Sequence, residues 1–194
     1  MAPATVQDLL FRHAHTTYAF TDEPVLDELL AEIYDLMRLG PTAMNSQPLR
    51  VVFIRTAAGK ARLLPHLAEG NRPKSASAPV VAILAADADY HLHLDRFAPH
   101  QKGARERLAA NPETRLKDAT FNATLQAGYF ILAARAVGLD AGPMGGFDRT
   151  GIDTEFFDGT ALHSILIVNL GHAAEDGQRA RAPRLELPEA VTFV

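Results

Sequence analysis

The residues able to do chemistry in this chain lie in short polar segments scattered along its length. His13-Ala14-His15-Thr16-Thr17-Tyr18 brings two imidazoles and two hydroxyls together, a set that can hold a phosphate through charge-assisted and neutral hydrogen bonds. A polar helix end followed by a turn has the same composition. Gly40-Pro41-Thr42-Ala43-Met44-Asn45-Ser46-Gln47-Pro48 carries donors and acceptors on a frame stiffened by two prolines, although turn-forming residues alone also account for it. Gly142-Pro143-Met144-Gly145-Gly146 can bring backbone against a flat ligand without Cβ interference, or simply make a tight turn. Asn71 and Lys74 are expected in one loop. Arg179 and Arg181 alternate, so an extended tail points both guanidinium groups the same way, toward a phosphate dianion or into solvent.

Other chemistries lack their residues. With no cysteine in 194 residues, disulfides, a thiolate nucleophile, a CxxC redox pair and a cysteine-held iron–sulfur cluster are all excluded. No GxGxxG follows an expected strand, and no GxxxxGK[ST], HExxH or GxSxG occurs, which argues against a Rossmann dinucleotide domain, a P-loop, a zincin and a serine hydrolase. Asp89, His91, His93 and Asp95 would share one side of a strand and suit zinc or iron. Their polar, poorly periodic surroundings argue against that strand, and no metal is expected. The balance of 19 Lys+Arg against 23 Asp+Glu, net −4, gives no basic face for nucleic acid. Met1 to Leu10 has no basic start leading into an apolar stretch, and no apolar run approaches the ~18–20 residues that span a bilayer. The expectation is a soluble cytoplasmic protein whose redox electrons, if any, come from something it binds.

Several elements must position these segments. The length suits one domain, residues 1–194. Leu26, Leu29, Leu30, Ile33, Leu36 and Met37 form a helical stripe after Pro24 that stops at Gly40-Pro41. Strands are expected at Arg50–Thr56, Pro79–Ala86 and Ser164–Leu170, all nearly continuous in apolar character, as in a sheet covered on both faces. Helices are expected at Thr5–Phe11, Ala58–Leu67, Gln101–Ala110 and Asp148–Phe157. The longest periodic segment, Glu113–Val137, is apolar around much of its circumference and reads as the buried central helix. Helices precede the strands and the long helix sits mid-chain, so the pattern favours an α+β fold with a mixed sheet over a doubly wound one.

In this order and spacing, the segments His15–Phe20, Gly40–Pro48, Gly70–Val81, Gly138–Asp148, Val168–His172 and Arg179–Arg184 resemble the nitroreductase family of FMN-dependent oxidoreductases over essentially the whole chain. GPTAMN, the GPMGGFDR stretch ending at Arg149, and ARAPRL (Ala180–Leu185) look most like its malonic semialdehyde reductase branch, linked to pyrimidine degradation. The resemblance implies an α+β, three-layer α/β/α, intertwined homodimer with FMN at sites built from both subunits. It implies that His15, Thr16 and Thr17 meet the flavin phosphate and ribityl chain, with Thr42, Ala43 and Asn45 coming from the partner subunit. Asn71 and Lys74 would meet the isoalloxazine edge, Pro143, Met144, Gly145 and Gly146 would lie against the ring, and Arg179 and Arg181 would close over the phosphate. The reaction implied is hydride transfer from NADPH or NADH through the flavin to a small carbonyl acid, malonic semialdehyde, by ping-pong kinetics. No catalytic side chain is identified, and Arg149 or Arg50 are candidates for the substrate carboxylate. Nitroaromatic or quinone reduction, and flavin binding without turnover, are the alternatives. One departure stands out: the family usually has an arginine in the N-terminal phosphate segment, where this chain reads His13-Ala14-His15.

Overall fold

The computed structural model describes residues 5–194; the first four residues of the Met1–Leu10 stretch lie outside them. Four strands, β1 (Leu49–Ile54), β2 (Val80–Asp87), β3 (Asp140–Met144) and β4 (Leu162–Gly171), form one sheet in the order β1-β2-β4-β3. All three ladders are antiparallel. The sheet is therefore not mixed as expected: among the described residues the parallel pairing is a single bridge, Thr16 to Ala141.

The strands are apolar on both sides because helices cover both faces. Along β2 every residue is buried. Val80, Ala82, Leu84 and Ala86 enter one core cluster, while Val81, Ile83 and Ala85 enter the other, as the two-residue period of a strand requires. The first cluster lies under α1 (Asp27–Met37), α5 (Ala104–Ala109) and the long α6 (Pro112–Ala136); the second lies under α2 (Ala57–Leu63) and α7 (Arg149–Phe157). The remaining helices are α3 (Arg72–Ser77), α4 (Leu94–Phe97) and α8 (Leu187–Ala190). The result is three layers, α/β/α.

The expected stripe on α1 is narrower than the sequence suggests. Leu30, Ile33 and Met37 are buried, while Leu26 and Leu36 face outward. Helix α6 packs through small residues, Ala119, Ala123, Ala127 and Ala134 together with Phe130, which let a 25-residue helix lie close on the sheet. Phe121 and Leu125, expected in its buried face, are 65% and 39% exposed. Its two buried amides are fully used: Asn122 Oδ1 accepts from the Ala43 N–H at 2.7 Å, and Gln126 Oε1 accepts from the Leu49 N–H at 2.9 Å. A buried amide with a partner fixes what it touches, so α6 sets both the loop before β1 and the start of β1 itself.

Three local expectations change. The segment Gly142–Met144 is not loop but the end of β3; Pro143 is tolerated because β3 is an edge strand and needs no N–H on its free side. Lys74 sits on α3 rather than in a loop, with Asn71 at its start. The Asp89–Asp95 stretch is a short 3-10 helix, Tyr90–His93, running into α4, so the alternation that would align four ligands does not exist. Among the described residues, no three His, Asp or Glu side chains gather around a metal position, and no helix is long and apolar enough to cross a membrane.

Candidate functional site

Three of the polar segments gather along β3, and the tail joins them. Thr17 N–H donates to the Ala141 carbonyl at 3.1 Å, and Tyr18 N–H donates to the Gly177 carbonyl at 2.7 Å. Gln178 Nε2 donates both to Thr17 Oγ1 (3.1 Å) and to Asp140 Oδ1 (3.0 Å). The arm at 16–18 is thus stitched between β3 and the start of the tail. Glycine at 142 is what lets it lie there, since a Cβ would stand 2.4 Å from the Thr17 carbonyl oxygen. Thr17 is buried with its hydroxyl engaged, so it holds the arm in place rather than facing a ligand, contrary to the role the resemblance implies for it. His15 and Thr16 do line open space.

A cation stands over the Tyr18 ring. Lys74 Nζ lies 4.9 Å from the centre of the Tyr18 ring and donates to Asn71 Oδ1 at 3.0 Å. Asn71 Nδ2 in turn donates to the Gly146 carbonyl at 2.9 Å, and a Cβ on Gly146 would come within 2.8 Å of that nitrogen. Asn71, Lys74 and Gly146 are therefore brought together as the sequence suggested. Among the described residues, Lys74 has no carboxylate partner.

Tyr18 also lines a pocket of about 360 Å³ walled by His15, Thr16, Arg135, Arg179, Arg181 and Arg184. Arg179 lies over the same tyrosine ring, 4.5 Å from its centre, and its carbonyl oxygen is 2.9 Å from His15 Nδ1. Arg181 donates to the carbonyls of Phe11, Arg12 and Ala14 at 2.8–2.9 Å, which binds the tail to the N-terminal segment. Clustered guanidinium groups in a concave pocket suit a phosphate, with Tyr18 and Lys74 next along.

The Thr42–Gln47 loop is not part of this gathering. Its side chains bond within the loop and to α4, with Asn45 Nδ2 donating to the Phe97 carbonyl at 3.1 Å. Met44, Asn45 and Gln47 all have positive φ, at 55°, 50° and 45°. Side chains in the left-handed region cost energy, and such strain clusters at functional loops.

The sequence profile of the nitroreductase family matches residues 11–172. This chain belongs to the nitroreductase family. It is 55% identical over 181 residues, 93% of this chain and 92% of the relative, to a Leptothrix cholodnii protein named as a candidate NADH dehydrogenase/NAD(P)H nitroreductase. A Streptomyces coelicolor protein of the same name is 55% identical over 191 residues, 98% of this chain and 95% of the relative. The crystal structure of a candidate nitroreductase from Exiguobacterium sibiricum, in complex with FMN, superposes with a TM-score of 0.87 at 19% identity, covering 100% of this chain and 99% of that one. That likeness is one of fold.

Two side chains that the sequence offered for a substrate carboxylate are otherwise occupied. Arg50 Nη2 pairs with Asp87 at 2.6 Å, and its Nη1 donates to the carbonyls of Gln47 and Leu49. Arg149 donates to the Ser164 carbonyl at 2.7 Å and lies over the Phe147 ring. Two further residues are not marked out by sequence alone. Arg135, near the end of α6, is lost among helix surface charges in sequence. Asn169 on β4 is buried with neither amide atom partnered; a lone asparagine in the apolar run SILIVNL was the available signal. A further cavity of about 720 Å³ lies elsewhere, between α1, β1 and α4, and borders the Thr42–Gln47 loop through Gln47.

Proposed function

We propose that this chain is an FMN-dependent NAD(P)H oxidoreductase. The observation that carries the reading is what gathers at Tyr18: a guanidinium-walled pocket that the tyrosine helps to line, and Lys74 over its ring with the Asn71–Gly146 pair. A phosphate needs the first, and a flat ring that gains negative charge on reduction needs the second. The NAD(P)H named for the relatives and the FMN of the Exiguobacterium structure support the same reading.

His15, Thr16, Arg179 and Arg181 would hold the flavin phosphate and ribityl chain, with Thr17 keeping their segment in register. Asn71 and Lys74 would meet the ring edge, and Pro143, Met144, Gly145 and Gly146 would border its face. Bound FMN supplies two-electron transfer between NAD(P)H and an acceptor. Lys74 contributes a cation with no competing carboxylate among the described residues, fixed by Asn71, and such a charge favours the reduced, anionic ring. Thr42, Ala43 and Asn45 would come from a second copy, since none of that loop's recorded hydrogen bonds reaches the other site segments of its own chain. The apolar residues left exposed on α1, α6 and the tail, including Tyr34, Phe121, Leu187 and Phe193, support a homodimer. A dimer mass by light scattering that Phe121→Asp reduces to monomer tests this; a monomeric wild type contradicts it.

The finer reading is malonic semialdehyde as acceptor, reduced to 3-hydroxypropanoate with a hydride from NAD(P)H and a proton from water, in pyrimidine degradation. It rests on the GPTAMN, GPMGGFDR and ARAPRL segments. One observation favours the nitroaromatic or quinone alternative: Arg50 and Arg149 are already committed, and flat acceptors need no cation for a carboxylate. NADPH oxidation measured side by side with malonic semialdehyde and with a nitroaromatic decides between them. Faster turnover of the semialdehyde supports the finer reading, turnover of the nitroaromatic alone contradicts it, and flavin binding without either turnover contradicts an enzyme.

A further inference from the structure

Arg135 is placed at a cost. It lies in the last turn of α6, where a cation is ordinarily welcome to the helix dipole, and its Nη1 donates to the Leu10 carbonyl at 2.8 Å. Yet its Nε is buried with no acceptor among the described residues, and it shares the wall of the pocket with Arg179, Arg181 and Arg184. Burial, then the neighbouring charge of Arg181, pushes its pKa down, with Asp140 opposing. Asp140 is the carboxylate that acts on it, and both oxygens of that group are occupied: Oδ1 accepts from Gln178 and Oδ2 from the Ala173 N–H at 2.8 Å. A guanidinium held beside like charges, with an unused buried N–H, is stabilised only when an anion enters.

We propose that Arg135 is a direct ligand of the flavin phosphate, a third guanidinium beside Arg179 and Arg181, contributed by α6 rather than by the terminal segments. The assignment rests on the FMN reading above. It makes phosphate binding depend on the packed core of the fold: α6 is anchored along the sheet, whereas every residue from 178 onward is exposed. The N-terminal segment, the tail and α6 then converge on one anion, and the segment His13–Tyr18 needs no arginine of its own.

The test is titration of the full-length protein with FMN and with riboflavin, which lacks the phosphate, followed by quenching of flavin fluorescence. Arg135→Gln is expected to weaken FMN about 10- to 100-fold, the worth of one charge-assisted hydrogen bond, while riboflavin affinity stays within about twofold. Arg135→Lys, which keeps the charge but not the fork, is expected to recover part of the FMN affinity. Equal weakening of both flavins marks Arg135 as structural and overturns the assignment, as does unchanged FMN affinity in Arg135→Gln. Wild-type protein that takes up neither flavin overturns the FMN reading itself, and the assignment with it.

Discussion

His15 Nδ1 stands 2.9 Å from the carbonyl oxygen of Arg179, across 164 residues of sequence. A carbonyl can only accept, so Nδ1 carries a proton; Nε2 can then accept from a ribityl hydroxyl, and donates to a phosphate only from the imidazolium. The bond also ties the tail to the N-terminal segment beside Tyr18. His15→Ala is therefore expected to weaken FMN about 5- to 20-fold. It should also speed proteolytic release of the tail, measured by limited digestion. A variant that binds FMN as well as wild type shows that this contact has no part in the site.

Gly142 brings β3 and the arm at 16–18 into close approach. A methyl group there meets the Thr17 carbonyl at 2.4 Å with backbone on both sides, so neither can yield without moving β3 or the arm. Gly142→Ala is expected to cost about 1–3 kcal/mol, a fall of roughly 2–12 °C in melting temperature. Gly145→Ala, with nothing within 4 Å of the new Cβ, should leave melting within about 1 °C. Calorimetry on both variants checks the pair.

Arg50 is a structural cation. Its Asp87 partner is 8% exposed, and removing the arginine leaves that carboxylate without its counter-charge. Because Arg50 itself is about one-third exposed, solvent recovers part of the loss. Arg50→Gln is expected to lower stability by about 1–2 kcal/mol in urea unfolding, with the KM for the aldehyde acceptor unchanged. A raised KM with unchanged stability would return Arg50 to the substrate.

His91 gives the fold a pH dependence. Burial, and then Arg115, whose Nη1 lies 3.2 Å from His91 Nε2, lowers its pKa below the ordinary 6.5; Asp89 and Asp87 oppose this and Arg105 adds to it. Its Nδ1 is buried without a partner, so the folded chain resists protonation of the ring. The unfolded chain takes up the proton first as pH falls below 6.5, so the stability linked to neutral His91 is present above that value and lost below it. Urea midpoints are expected to drop between pH 7 and pH 5 in wild type, and less steeply in His91→Leu. An equal slope in the two proteins assigns the effect elsewhere. Asp8, held down to about 2 by Thr5 and Arg12, acts only in a more acid range.

Much of the scaffold was legible because periodicity reports burial. The alternation along β2 and the spacing of Leu30, Ile33 and Met37 are direct consequences of which faces the sheet and α1 bury. What was illegible depends on partners distant in sequence. Phe121 and Leu125 look like core by hydrophobicity, yet α6 turns its alanines to the sheet. Arg50 and Arg149 look like free cations until Asp87 and the Ser164 carbonyl are seen beside them. Pro143 looks like a loop residue because its strand is an edge strand. Within the candidate site, Asn71, Lys74 and Gly146 meet as the resemblance implied, and His15, Thr16, Arg179 and Arg181 share a pocket. Arg135 joined them only through the fold, since nothing local distinguishes it from any basic residue ending a helix.

The visible absorption spectrum of the purified protein tests the central claim most directly. The account predicts a yellow protein, or one that turns yellow on adding FMN, whose oxidised-flavin bands bleach when NADPH is added without oxygen. A colourless protein that takes up no FMN even at pH 6 would contradict it.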